Sequence, residues 1–177
     1  MPRKARIDAP GALHHIVIRG LERKPIFKDS QDYQNFIERL SNILSESSTP
    51  CFAWVLMTNH AHLLLRTGLT SISTVMRRLL TGYAQQFNRR HRRYGHLFQN
   101  RYKSFLCEEE LYLLELVRYI HLNPIRAGMV EDLKGINLDH LIGIVAGRLE
   151  LDVDLILSSS RQRTVALARI DHLLCDC

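Results

Sequence analysis

Two apolar runs, CFAWVLM (51–57) and AHLLLR (61–66), lie either side of Thr58-Asn59-His60. Each has the length of a strand, and the first is apolar almost throughout, as in a strand buried on both faces. Thr58-Asn59 forms a tight turn between them, and a turn this short makes the pair antiparallel. Any fold for this chain must accommodate that hairpin. Upstream, ALHHIVIR (12–19) reads as a further strand, rich in β-branched residues and opened by Pro10-Gly11. Asp29-Ser30 offers an N-cap. Phe36, Ile37, Leu40, Ile43 and Leu44 follow at helical spacing, which predicts a helix over 30–46 that stops at Ser47-Ser48-Thr49-Pro50.

After the hairpin, Ile72, Val75, Met76, Leu79, Leu80, Tyr83 and Phe87 make the apolar stripe of a second helix, 71–92, and Gly95 breaks the pattern. YKSFLC (102–107) predicts a fourth strand. Glu108-Glu109-Glu110 suits the start of a third helix, which runs to Leu122 and ends at Asn123-Pro124. The order strand-helix-strand-strand-helix-strand is a split βαβ arrangement. It predicts an α+β, ferredoxin-like fold with a mostly antiparallel sheet, helices on one face and an extra helix carrying Tyr119. Aromatic residues cease after Tyr119. The chain therefore divides into a main domain, 1–131, and a small helical appendage, 132–177.

Composition excludes several classes. Apolar residues make up 46% of the 177 and charged residues 24%, so the chain is neither largely disordered nor collagen-like. No run of 18 apolar residues exists to span a membrane. The basic MPRKAR start has no apolar stretch behind it, so no secretory signal is expected. Cys51, Cys107, Cys175 and Cys177 show no framework spacing, which points to reduced thiols and a cytoplasmic protein.

The net charge of +6 conceals a polarity. Residues 1–107 carry 17 basic and 6 acidic side chains, a net +11, whereas 108–177 carry 7 and 12, a net −5. No Asp or Glu occurs between Ser47 and Cys107, although nine Arg or Lys do. A long one-signed stretch points to a polyanionic partner. Its cations are Arg66, Arg77, Arg78, Arg89, Arg90, Arg92, Arg93, Arg101 and Lys103, and Tyr83, Phe87, Tyr94, Phe98 and Tyr102 interleave with most of them. Arginine grips phosphates bidentately and aromatic rings stack on unpaired bases, a combination that favours nucleic acid over a membrane surface. Tyr83 and Phe87, on the helix stripe, read as core.

Three features could carry chemistry. His60 and His62 lie two apart on or beside a strand, so both imidazoles share a face and could chelate a divalent metal. Tyr119 and Asn123 lie four apart on the third helix and also share a face. A tyrosine hydroxyl can act as a nucleophile, and a carboxamide oxygen can ligate a hard cation. The alternative for Tyr119 is packing against the sheet, and for Asn123 a helix C-cap.

The segments PGALHHIVIRGLERKPIFKD, AWVLMTNHAHLLLR, STVMRRLLTGYAQQFNRRHRRYGHLFQNRYKS and YLLELVRYIHLNPIRAGMV, in this order, resemble the HUH single-tyrosine transposases, in particular the REP-associated tyrosine transposases of bacteria. The resemblance covers residues 9–130. It implies that His60 and His62, with Asn123, bind Mg²⁺ or Mn²⁺, and that Tyr119 is the nucleophile. Attack on a phosphodiester of single-stranded DNA would form a 5′-phosphotyrosine and release a 3′-hydroxyl. The implied partner is single-stranded or hairpin DNA, bound by a monomer or a homodimer. Arg19, in VIRG, also matches a family motif and is expected to touch DNA.

The chain departs from the family pattern at Thr58, where relatives carry proline, and after the tyrosine helix, where Lys134-Gly135-Ile136 replaces an aromatic segment. A non-catalytic, structure-specific DNA-binding protein on the same fold is the alternative. The segment VAGRLELDVDLILSSSRQRTVALARIDHLL resembles the first part of the C-terminal DNA-binding domain of the replication initiator DnaA.

Overall fold

A computed structural model describes residues 9–107 and 142–143. The first strand, β1, is Leu13–Arg19, and a tight turn at Leu21–Arg23 follows it. Helix α1 (Ser30–Glu46) leads to β2 (Cys51–Met57) and β3 (His60–Arg66), and helix α2 (Ile72–Arg90) leads to β4 (Lys103–Cys107). A two-residue strand, β5 (Ile142–Gly143), completes the described elements. The sheet order is β4-β1-β3-β2-β5, and every neighbouring pair is antiparallel. This is the expected split βαβ sandwich. The third helix, 111–122, and the helical appendage lie outside the described residues, except that 142–143 pair with Trp54 and Val55 of β2 as strand. No helix among the described residues is long and apolar enough to cross a membrane.

Local signals set the helix ends. Asp29 caps α1 by accepting from the Asp32 amide, and the Asp32 carboxylate accepts from the Lys28 amide at 2.9 Å. The arrangement resembles a capping box, with the return bond taken by the residue before the N-cap. Ser71 caps α2 through the Thr74 amide. Arg89 and Arg90 sit in the last turn of α2, where the helix dipole favours cations.

One face of the sheet carries Ile16, Ile18, Trp54, Leu56, Ala61, Leu63 and Leu65 into a core shared with Phe36, Leu40 and Ile43 of α1 and Val75, Met76, Leu79, Tyr83 and Phe87 of α2. Phe27 stacks on Tyr33 at 4.5 Å, and Phe36 meets the Tyr83 ring edge-on at 5.1 Å. The Tyr83 hydroxyl donates to the Ile26 carbonyl at 2.6 Å. On the opposite face Leu13, His15, Val17, Ala53, Val55, Met57, His62 and Leu64 are also buried. The central strands are thus covered on both sides, which is why 51–57 shows no polar alternation.

The Thr58-Asn59 turn is held by the chain that follows β1. The Thr58 carbonyl accepts from the amides of Ile26 and Phe27, and the Asn59 carbonyl accepts from Gly20 N–H at 2.8 Å. A Cβ at Gly20 would stand 2.1 Å from the Lys24 carbonyl oxygen and 3.0 Å from Ile26 Cγ2. Gly20→Ala is therefore expected to cost about 1–3 kcal/mol, the usual penalty of overpacking. Gly82→Ala would meet only the mobile end of the Arg39 side chain and should be tolerated, with a gain in helix propensity. Urea-unfolding midpoints of the two variants check this contrast.

Candidate active site

The β1–β3 ladder pairs Arg19 with His60, Ile18 with Ala61, Val17 with His62 and His15 with Leu64. Alternation then puts His60 and His62, Arg19, Val17 and His15 on the sheet face away from α1 and α2, while Ala61 points into the helix-covered core. The two imidazole centroids lie 5.2 Å apart with planes at 80°. The pair shares a face, as the sequence spacing requires.

A third histidine joins them. His15 Nε2 lies 3.0 Å from His62 Nδ1, and the two rings are nearly parallel, 18° apart. The contact is diagonal across the ladder, and Phe105, paired with His15 from β4, packs on the far side of the His15 ring. His60 Nδ1 lies 2.7 Å from the Asn59 carboxamide oxygen, and Asn59 Nδ2 donates to the Arg23 carbonyl at 3.1 Å. Glu22 and Arg23 both take positive φ, 54° and 59°, in the turn that presents this carbonyl. Such non-glycine conformations persist only where surrounding contacts enforce them.

Burial sets the protonation of the group. Desolvation lowers His60 from its ordinary value of 6.5 to about 4, with help from the Arg19 charge. His15 falls to about 4 by burial alone. His62 falls well below its ordinary value through burial first, then through His15, His60 and Arg19. All three imidazoles are neutral near pH 7. A neutral imidazole keeps a ring lone pair, which is the form that binds a metal. Two such donors on one strand face fit a divalent cation.

A second cluster lies elsewhere, where the start of α1 meets the end of α2. Donor atoms of Asp29, Asp32 and His91 fall within 4.8 Å of one another, close enough to share an ion. Arg90 already fills that role. Its Nη1 lies 2.8 Å from Asp29 Oδ1 and 2.6 Å from Asp32 Oδ1, and Nη2 lies 2.7 Å from Asp29 Oδ2. His91 Nε2 lies 2.9 Å from Asp32 Oδ2. The guanidinium holds Asp29 below the usual carboxylate range. This network staples the two helices together.

The remaining residues singled out from sequence fall into three groups. Tyr119 and Asn123 lie outside the described residues. Arg77, Arg89, Arg92, Arg101 and Lys103 are exposed, and Tyr94 is 94% exposed beside them. Arg78 pairs with Glu46, Arg90 with Asp29 and Asp32, and Arg93 braces its own loop through Asn88 and the His96 carbonyl. Tyr83 and Phe87 are core, as expected, and Tyr102 is buried with them.

The loop after α2 joins the site at its edge. Gln99 N–H donates to the Arg19 carbonyl at 2.9 Å, and Gly20 pairs with Phe98. The basic segment therefore ends against the strand terminus that carries Arg19 and faces His60. His15 and Asn59 had drawn no role from sequence, because the first becomes a partner only through cross-strand pairing and the second reads as a turn residue.

An antiparallel split-βαβ sheet with a strand-borne histidine pair defines the HUH class of DNA-processing enzymes. Residues 10–123 match the family model described as IS200-like transposase, so the chain belongs to that family and is an enzyme of the HUH transposase type. A REP-associated tyrosine transposase, solved bound to a REP hairpin, shares the fold. The TM-score is 0.59 at 18% identity over 74% of this chain and 77% of that one. A protein from Deinococcus radiodurans described as a transposase aligns with a TM-score of 0.46 at 18% identity, over 67% of this chain and 95% of its own. No curated protein matches the chain.

The lowered histidines make stability depend on pH in one direction. Between the folded value of about 4 and the unfolded value near 6.5, the unfolded chain binds more protons, so stability rises with pH in that window. The melting temperature should therefore be highest above pH 6.5 and fall steadily as pH drops toward 4. Thermal melts across this range check it, and His15→Phe should flatten the slope.

Proposed function

We propose that this transposase cleaves and rejoins single-stranded DNA at hairpin sequences, with Tyr119 as nucleophile and a Mg²⁺ or Mn²⁺ ion held by His60, His62 and Asn123. The observation that carries the proposal is the pair of neutral, same-face imidazoles. They stand within a family match whose span, 10–123, also takes in Tyr119 and Asn123. The REP-associated relative, with its hairpin, supports the choice of substrate.

A bound cation would polarise the scissile phosphate and offset the charge that builds on its oxygens. The protein's own groups do the rest. Tyr119 attacks phosphorus through its phenolic oxygen. A P–Oη bond forms, the bond to the 3′ oxygen breaks, the phenolic proton is lost, and the departing oxygen takes up a proton as a 3′-hydroxyl. Free tyrosine has a pKa of about 10, so attack is assisted by neighbouring positive charge, and Arg19 opposite His60 is one source. The phosphotyrosine keeps the phosphodiester reactive, which allows a later 3′-hydroxyl to reseal the strand.

The exposed arginines supply the track for the strand. Arg89, Arg92 and Arg101 carry no acidic neighbours in the 47–107 segment. Tyr94, held out by the braced loop between Asn88 and His96, offers a ring face to an unpaired base.

The decisive assay incubates the protein with a hairpin oligonucleotide and its flanking single strand in Mg²⁺ or Mn²⁺. A covalent adduct is expected on denaturing gels, and it should vanish with EDTA or in Tyr119→Phe. Wild-type cutting by Tyr119→Phe would refute the nucleophile. Hairpin binding without any adduct would favour the non-catalytic reading.

A second set of variants tests the track. Arg89→Ala, Arg92→Ala and Arg101→Ala should each weaken hairpin binding and reduce the salt slope by about 1. Arg90→Ala should mainly lower the melting temperature, because its guanidinium is committed to Asp29 and Asp32. Binding isotherms at several salt concentrations, with melts alongside, separate the two effects.

A further inference from the structure

Each histidine of the pair is held through the same ring nitrogen by a neighbour outside the pair. For His60 that neighbour is Asn59, whose carboxamide is oriented from its other end. Nδ2 donates to the Arg23 carbonyl, so Oδ1 must be the atom that faces His60 Nδ1 at 2.7 Å. A carboxamide oxygen only accepts, so His60 must carry its proton on Nδ1. In a neutral ring the lone pair then sits on Nε2.

For His62 the neighbour is His15, with Nε2 at 3.0 Å from His62 Nδ1. His15 is fixed in mid-strand, opposite Leu64 on one side and Phe105 on the other. If His62 donates from Nδ1, its lone pair also lies on Nε2, and the two rings present equivalent nitrogens.

We propose that Asn59 and His15 are positioning residues that keep the protons of His60 and His62 on Nδ1, so that both Nε2 lone pairs are offered to one cation. The proposal rests on the reading of this pair as the cation site and adds the two residues that set its tautomers. Groups that hold the non-ligating nitrogen of a metal-binding histidine typically change metal affinity by about 10–100-fold when removed. The turn at Leu21–Arg23 enters the site in this way. It presents the carbonyl that orients Asn59, which explains why a backbone with two positive-φ residues is maintained there.

The test has two readouts besides activity. Long-range proton–nitrogen NMR on histidine-labelled protein reports the tautomer of each ring, and EPR titration with Mn²⁺ alone reports affinity. In the wild type, His60 and His62 are both expected in the Nδ1-protonated form. Asn59→Ala should release His60 into a mixture of tautomers and weaken Mn²⁺ binding tenfold or more. Asn59→Asp retains an acceptor and should keep both the tautomer and most of the affinity, although it loses the donor to Arg23. A merely structural role would lower the melting temperature in both without separating them.

His15→Phe should act on His62 as Asn59→Ala acts on His60. His15→Gln, with an acceptor of its own, should instead keep the His62 tautomer and most of the affinity, as Asn59→Asp does for His60. Protonation of either ring on Nε2 in the wild type overturns the proposal, as does unchanged Mn²⁺ affinity in folded Asn59→Ala and His15→Phe. A wild type with both rings Nδ1-protonated but no Mn²⁺ binding supports the orientation and overturns the cation-site reading instead.

Discussion

The register of β1 against β3 is the constraint from which the rest of the site follows. Side chains alternate along a strand, so a slip of one residue would turn both imidazoles into the helix-covered core and bring Ala61 and Leu63 out in their place. Three groups of contacts hold the register. The apolar residues of β1 and β3 interlock with both helices on one face. Val17, Val55, Met57 and Leu64 are buried on the other. The backbone bonds from Gly20, Ile26 and Phe27 to the Thr58-Asn59 turn lock the hairpin end. The turn itself is only two residues long, so it leaves no slack for His60 to leave the ladder.

Burial and charge then act together on the histidines. Water is kept from His15 and His62, and Arg19 stands across the ladder from His60. Both effects disfavour imidazolium. Burial is the larger of the two for His60 and His62, and for His15 it acts alone. Arginines that read alike in sequence divide into two kinds. Arg78 and Arg90 find carboxylates on α1 and its N-cap and hold the helices together, whereas Arg77, Arg89, Arg92 and Arg101 form no ion pair among the described residues.

Much of the fold was legible because its signals are local. Asp29 marks a helix start, the stripe from Ile72 to Phe87 gives α2, and the near-continuous apolar run 51–57 marks a strand buried on both faces. The His60–His62 pairing followed from strand alternation alone. What could not be read depends on contacts distant in sequence. His15 sits 47 residues from His62, and no spacing rule connects them until the ladder is formed. The partners of Arg90 lie 58 and 61 residues away, so its cluster with Arg89 looked like part of a nucleic-acid surface. Asn59 looked like an ordinary turn residue because its second bond reaches back to Arg23. The strand at Ile142–Gly143 carried no signal of its own within an aliphatic segment whose sequence reads as helix.

The central claim is that one divalent ion binds at the strand-borne pair of imidazoles. Diffraction from crystals soaked in Mn²⁺, collected at a wavelength where manganese scatters anomalously, tests it directly. The account predicts a single strong anomalous peak in bonding contact with Nε2 of both His60 and His62. A peak seated instead among Asp29, Asp32 and His91, or none beside β3 in crystals that hold the ion elsewhere, would contradict it.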